Sequence, residues 1–371
     1  MITSLFSPVS LKNRDFKNRV IAAPPPSYLA GPDGQVQTQM LDYYYNLADT
    51  DAGMVIVEAA AVSLEGRAWL KQLGIHSSAM INGLSRLVEK IRSRGAVPVA
   101  QLFHGGINSI PGPDQIVAGP SAIEHRKLNA RIHEIKKDKF AQIVNDYSEA
   151  ARIAWNAGFS GIEIQAAEGS LPQQFFSPLL NHRRDDYSTD YNGGVLLLQQ
   201  IVRAVKKAVP DLMLLVRLSL RDLLPGGFCL STAIKAAQIL KSEGIDIFHL
   251  TEGLKVGNAQ LLHPSLDKTA PDAPFSEDTH IFRNETGLLT VLSGKVSTPE
   301  IAINRMKKGG ADFVALGRTL NREPLWLGGQ IDSGLLPWQK CLRCPICKAA
   351  SDGCPDRIGL NRWQLAPQPK S

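Results

Sequence analysis

The chain has 371 residues, 44% of them apolar, and a formal net charge of +6. That is enough apolar material for one large core or two smaller ones. The charge is too small for the length to imply a nucleic-acid partner. The densest basic stretch, 125–139, carries Glu134 and Asp138 without interleaved aromatics, so it reads as a solvated loop entering a helix. The first twenty residues hold no positive segment followed by an apolar run, and no stretch of about 18 apolar residues occurs. A cytoplasmic protein without a membrane partner is expected.

Apolar, β-branched runs recur at 19–24, 53–59, 97–102, 161–166, 212–219, 245–251, 288–294 and 312–317. Most intervals carry a helical pattern. In 140–155, for example, Phe140, Ile143, Val144, Tyr147, Ala151, Ala154 and Trp155 fall on one face. Eight strands alternating with helices describe an α/β fold, a (β/α)8 TIM barrel over residues 1–330. The strands are nearly continuous in hydrophobicity, as burial on both faces requires. A doubly wound sheet would want a glycine-rich turn after the first strand, where "RVIAAPPPSYLAGPDG" carries prolines. The longest connections, 103–136, 167–195 and 252–287, all lie at the C-terminal mouth of a barrel, where active sites are built. Residues 331–371 no longer look like barrel; they form a short cysteine-rich extension with a polar tail expected to fray.

Polar residues inside such strands ask for a reason. Gln101 closes the third strand and Arg217 sits within the fifth between apolar neighbours. A buried arginine needs a partner or an anion. An ion pair with Glu163 or Glu58 would serve, and so would a flat, hydrogen-bonding, partly anionic ligand with the shape of flavin mononucleotide (FMN). The seventh strand ends at Ser293 and Gly294, ahead of Thr298-Pro299-Glu300, which supply a helix N-cap, a first-turn proline and an acidic start. The eighth ends at Gly317 and Arg318. Two glycine turns and a guanidinium at adjacent strand ends suit a phosphate; the alternative is that the glycines only permit tight turns.

The stretches "LFSPVSLKNRDFKNRVIAAP", "GMVIVEAAAVSLEGR", "QLFHGG", "AGFSGIEIQAAEGSLPQQFFSPLLNHRRDDY", "VRLS" and "GGADFVALGRTLNREP", in this order and spacing, resemble the Old Yellow Enzyme family of FMN-dependent oxidoreductases over residues 5–330. The resemblance implies FMN at the mouth, with Ala60 and Gln101 near the isoalloxazine and Arg217 at its pyrimidine edge. Gly294, Gly317 and Arg318 would surround the phosphate, and Pro24 and Pro26 belong to the same cofactor-binding set. The departures from the family bear on function. Its fourth-strand motif has two polar side chains that hold a substrate carbonyl and, two residues on, a Tyr that donates a proton; the matching positions here are Gln165, Glu168 and Ser170. An ionised Glu168 would oppose a developing enolate and favour a donor-rich or cationic substrate. With its pKa raised by burial it could instead donate the proton, and a third arrangement pairs it with Arg183 or Arg184. Pro26 stands where the family carries Cys or Thr. Loss of that donor is expected to lower the flavin potential by roughly 30–60 mV.

Cys341, Cys344, Cys347 and Cys354 form C-x2-C-x2-C-x6-C-P. This spacing suits a [4Fe–4S] cluster, with zinc as the alternative; the fifth cysteine, Cys229, reads as a small buried hydrophobe. Iron–sulfur members of the family, of the dienoyl-CoA reductase and trimethylamine dehydrogenase type, are similar in carrying four cysteines after the barrel, at longer spacing. Expected, then, is an FMN and iron–sulfur oxidoreductase moving hydride between flavin and a small organic substrate. An electron-donor protein or subunit and a second copy of the chain are the partners it allows. The alternatives are a diverged electron-transfer or scaffold subunit and a redox-neutral isomerase with Glu168 as proton shuttle.

Overall fold

The structure, a computed structural model, describes residues 5–124, 130–256, 273–308, 310–322 and 326–327. The four clustered cysteines Cys341, Cys344, Cys347 and Cys354, and the boundary expected at 330, lie outside the described residues.

An antiparallel hairpin, β1 (Val9–Leu11) and β2 (Arg14–Phe16), precedes the barrel strands β3 (Val20–Ala22), β4 (Met54–Ala61) and β5 (Val97–Phe103). A separate parallel pair, β6 (Ile116–Gly119) and β7 (Arg131–Glu134), decorates the next connection. The barrel continues through β8 (Gly161–Ala166), β9 (Met213–Ser219), β10 (Ile247–Thr251), β11 (Leu289–Leu292) and β12 (Phe313–Leu316), which pairs back onto β3. All eight predicted strands are present and parallel, and they close in sequence order. Around them run α1 (Thr38–Ala48), α2 (Ile81–Arg92), α3 (Lys137–Asn156), α4 (Leu171–Phe176), α5 (Leu196–Ala208), α6 (Leu230–Lys241), α7 (Ser276–Thr286), α8 (Pro299–Lys307) and α9 (Arg318–Arg322). None of the described helices is long and apolar enough to cross a membrane.

The start of α8 follows its sequence signals. Thr298 Oγ1 accepts the Ile301 amide and Pro299 opens the first turn, where its missing N–H costs nothing. In α3 the predicted face is buried except at Val144, which is half-buried, and at its end, where Trp155 is 46% exposed. Cys229 also departs from expectation. It is exposed at the N-cap of α6, and hydrogen bonds with Ser231 and Thr232 pull its thiol down to about 7.

Inward-facing positions alternate along each strand, and the barrel interior has two unlike storeys. The lower one is apolar: Ile21, Met54, Val99, Leu215, Ile247, Val291 and Phe313 pack together, with Phe16 of the hairpin stoppering the base edge-on to Phe313. Two residues further along the strands the facing side chains become Gln101, Glu163 and Gln165, Arg217 and His249. The same pleat that builds the core thus delivers a polar layer to the mouth.

Candidate active site

The opportunity for the polar layer comes from strand register. Gln165 on β8 and His249 on β10 both stand opposite Arg217 on β9, and Gln101 on β5 stands opposite Glu163. Gln101 Nε2 donates to Glu163 Oε1 at 2.6 Å and to Gln165 Oε1 at 3.4 Å. Glu163 Oε2 lies 2.7 Å from His249 Nδ1, and neither side chain is exposed. With both hydrogens of its amide engaged, Gln101 presents its carbonyl oxygen as an acceptor.

Past β8 the chain turns sharply. Glu168 and Gly169 both have left-handed backbone, φ 54° and 86°, and a Cβ on Gly169 would collide with the carbonyl oxygen of Lys255. Glycine suits that position; a glutamate in the left-handed region costs on the order of 1 kcal/mol. Its carboxylate accepts from Arg217 Nη2 at 2.7 Å and from Thr251 Oγ1 at 3.4 Å.

Contacts around this turn revise three expectations. Arg217 pairs with neither Glu163 nor Glu58, because Glu163 is held by Gln101 and His249, while Glu58 accepts from the Ser27 amide and the Tyr44 hydroxyl. Arg183 is not the partner of Glu168 either; it is engaged with Asp185 at 2.6 Å and Glu134 at 3.2 Å. Ser170, expected in the place of the proton-donating Tyr, is wholly buried, and its hydroxyl donates to the Gln165 carbonyl at 2.8 Å and accepts from the Ala167 amide. Its hydrogen-bonding capacity fastens the turn instead of facing the mouth.

Two buried donors of this layer lack partners: Arg217 Nε, and the Nε2 atom of His249 if that nitrogen carries the proton. An unmet buried donor costs about 1–3 kcal/mol. The pyrimidine edge of an isoalloxazine offers an imide N–H between two carbonyls. Such an edge matches the acceptor of Gln101 and the donor of Arg217, so these residues fit FMN.

The opposite side of the mouth is built by barrel closure. Adjacent strands β11 and β12 bring Gly294 and Gly317 to neighbouring turns, and the Ala23 amide donates to the Leu316 carbonyl, which sets Pro24 beside Gly317 and Arg318. Gly294 has φ 85°, and a Cβ there would run into the Phe275 ring. Gly317 is under no such constraint, its added Cβ meeting only Ala23 at 3.7 Å. Ala60 is buried on β4 just beyond an irregularity in the β4–β5 register. After Pro26, the Ser27 amide donates to Glu58 at 2.8 Å and Tyr28 turns left-handed at φ 59°. Burial raises the Glu58 carboxyl to about 7, against the lowering effect of its bonds with Ser27 and Tyr44.

Sequence reasoning missed an aromatic wall at this rim, in which the Tyr28 ring lies 6.0 Å from Trp69, and Trp69 lies 5.8 Å from Phe103. Trp69 stands out as a lone aromatic in the polar run "LEGRAWLKQ", and that is the signal that could have found it. His104, in the quoted "LFHGG", is buried, its pKa lowered to about 4 by desolvation, and Nδ1 accepts the Gly106 amide. It is therefore a neutral structural residue.

An eight-stranded parallel barrel whose mouth carries the Gln101 carbonyl and an unpartnered Arg217 N–H suits a flavin. Comparison with known proteins agrees. The profile of the NADH:flavin oxidoreductase / NADH oxidase family matches residues 4–335. An NADPH dehydrogenase of Listeria welshimeri is 33% identical over 324 residues, 87% of this chain and 93% of that protein. A metal reductase of Desulforamulus reducens is 28% identical over 360 residues, 95% of this chain and 52% of that protein. Among solved structures, the old yellow enzyme homologue from Zymomonas mobilis superposes with a TM-score of 0.78 at 25% identity, covering 95% of this chain and 98% of that one. The chain belongs to the NADH:flavin oxidoreductase / NADH oxidase family and is an FMN-dependent oxidoreductase.

Proposed function

We propose that this mouth holds FMN non-covalently and that the protein takes reducing equivalents from NADPH to reduce a small organic substrate. The observation that carries the reading is the pair at Gln101 and Arg217, the one presenting its carbonyl as an acceptor for an imide N–H and the other an unpartnered N–H as a donor to a carbonyl. Pro24, Pro26 and Ala60 border the ring system in this reading, and Gly294, Gly317 and Arg318 border the phosphate. FMN, when bound, supplies hydride acceptance and donation. The choice of NADPH is supported by the name of the Listeria relative.

Substrate choice rests on Gln165 and on the commitment of Glu168 and Ser170 to other partners. Glu168 is committed to Arg217 and Thr251, and Ser170 to its own turn, so neither offers a proton to an enone. Simple enones such as cyclohexenone are then poor substrates. The test is to load the protein with FMN, mix it anaerobically with NADPH and follow flavin bleaching, then add candidate oxidants. Loss of the flavin absorbance with NADPH supports the reading; no bleaching overturns it. Brisk reoxidation by cyclohexenone overturns the specificity part alone.

The same proposal extends to Cys341, Cys344, Cys347 and Cys354 as ligands of a [4Fe–4S] cluster, which would supply one-electron transfer. Their spacing supports it, as does the similarity to the Desulforamulus metal reductase, which covers enough of this chain to run past the barrel. Iron and acid-labile sulfide measured in anaerobically prepared protein decide the matter, and stoichiometric zinc without sulfide overturns it.

A further inference from the structure

The Glu168–Arg217 pair has features beyond an ordinary surface ion pair. The two side chains are only 26% and 12% exposed, and Glu168 Oε1 lies 2.7 Å from Arg217 Nη2. Among the described residues Glu168 is the one carboxylate that meets this guanidinium. Glu168 reaches it from a left-handed backbone, a conformation in which a glutamate is strained. Thr251 Oγ1 donates to the same carboxylate oxygen, at 3.4 Å. The guanidinium thus arrives at the mouth with part of its charge already offset and with Nε, buried and unpartnered, still available.

We propose that Glu168 is the counter-ion of Arg217 and, through it, sets how strongly the bound flavin holds electrons. This rests on the FMN reading of the mouth. Reduced FMN carries negative charge on its pyrimidine side, which is the side the Arg217 donor serves. An uncompensated guanidinium there favours the reduced form, and a carboxylate in contact with that guanidinium opposes it. Glu168 therefore acts through Arg217 as a positioning residue, in place of the catalytic role that its sequence position suggests. The contact thereby lowers the potential of the bound flavin.

The experiment compares FMN-loaded wild type with Glu168→Gln and Glu168→Asp. Glutamine keeps the size and one acceptor oxygen while removing the charge; aspartate keeps the charge and tolerates left-handed backbone well. The midpoint potential of the bound flavin and the affinity of each apoprotein for oxidised FMN are measured. For Glu168→Gln, reduced FMN should gain on the order of tenfold in affinity relative to oxidised FMN. That corresponds to an upward shift of roughly 30 mV for a two-electron couple. Oxidised FMN affinity should change by less than about threefold, a discrepancy that a merely structural role would not produce. Glu168→Asp should stay near wild type. An unchanged or lowered potential in Glu168→Gln, with FMN still bound, overturns this inference alone. Failure of the wild-type protein to take up FMN overturns the flavin reading and this inference with it.

Discussion

The base and the mouth of the barrel are made by the same strands, two residues apart, and they could hardly differ more. At the base Leu215, Ile247 and Val99 meet Phe313 and Phe16 in a dry plug. One inward position higher, the same three strands present Arg217, His249 and Gln101. Apolar burial holds the base together at about 25 cal/mol per Å². The upper layer is costly to bury and is stable only because its members satisfy one another: Glu163 with His249 and Gln101, Glu168 with Arg217. The contrast suggests that stability resides mainly below and ligand chemistry above.

The largest expected effect tests that division at the plug. Phe313→Ala removes the ring that packs edge-on against Phe16 at 5.9 Å and should cost about 3–5 kcal/mol in urea unfolding, while the folded fraction keeps its FMN affinity. A loss of flavin affinity in the folded variant would show that the two storeys are coupled.

Next comes a titration that the base cannot show. Burial holds the folded-state pKa of Glu58 at about 7, above the ordinary glutamate value of 4.5, so its contribution to stability is fully present below about 4.5 and is lost as pH rises through about 7. The change is roughly 2–4 kcal/mol. Unfolding free energy measured across this window should fall with rising pH in wild type and flatten in Glu58→Gln. Equal slopes would place the titration elsewhere.

Smaller effects sharpen the picture within the mouth. Arg318→Ala should weaken FMN binding by about 1.5–3 kcal/mol and Gln101→Ala by about 0.5–1.5, since a charge-assisted contact outweighs a neutral one. Equilibrium titration of the apoproteins measures both, and equal losses would remove the phosphate corner from its assigned place. Smallest is Thr298→Ala, which deletes the N-cap bond to Ile301 and should cost about 1 kcal/mol, read as a shift in the urea midpoint.

Much of this was legible in the chain. The eight strands appear as β-branched runs, the α8 start as Thr298-Pro299, and Gln101 and Arg217 as polar residues misplaced in apolar strands. What those two residues meet was not legible. Arg217 and Glu168 are 49 positions apart and Glu163 and His249 are 86 apart; the first pair forms where the turn after β8 meets β9, and the second reaches across β9 from β8 to β10. Ser170 misled for a related reason, because its place in a motif says nothing of the turn that absorbs its hydroxyl.

By itself, the sequence determined the number and order of the strands, and with them the closed barrel and the end at which chemistry collects. Short apolar runs suffice for that, because a strand buried on both faces is apolar at nearly every position. The pairing of charges inside the mouth, and so whether Glu168 faces a substrate or an arginine, was decided only by tertiary structure. A buried carboxylate takes the cation that three-dimensional register brings within reach, and no spacing along the chain encodes that distance.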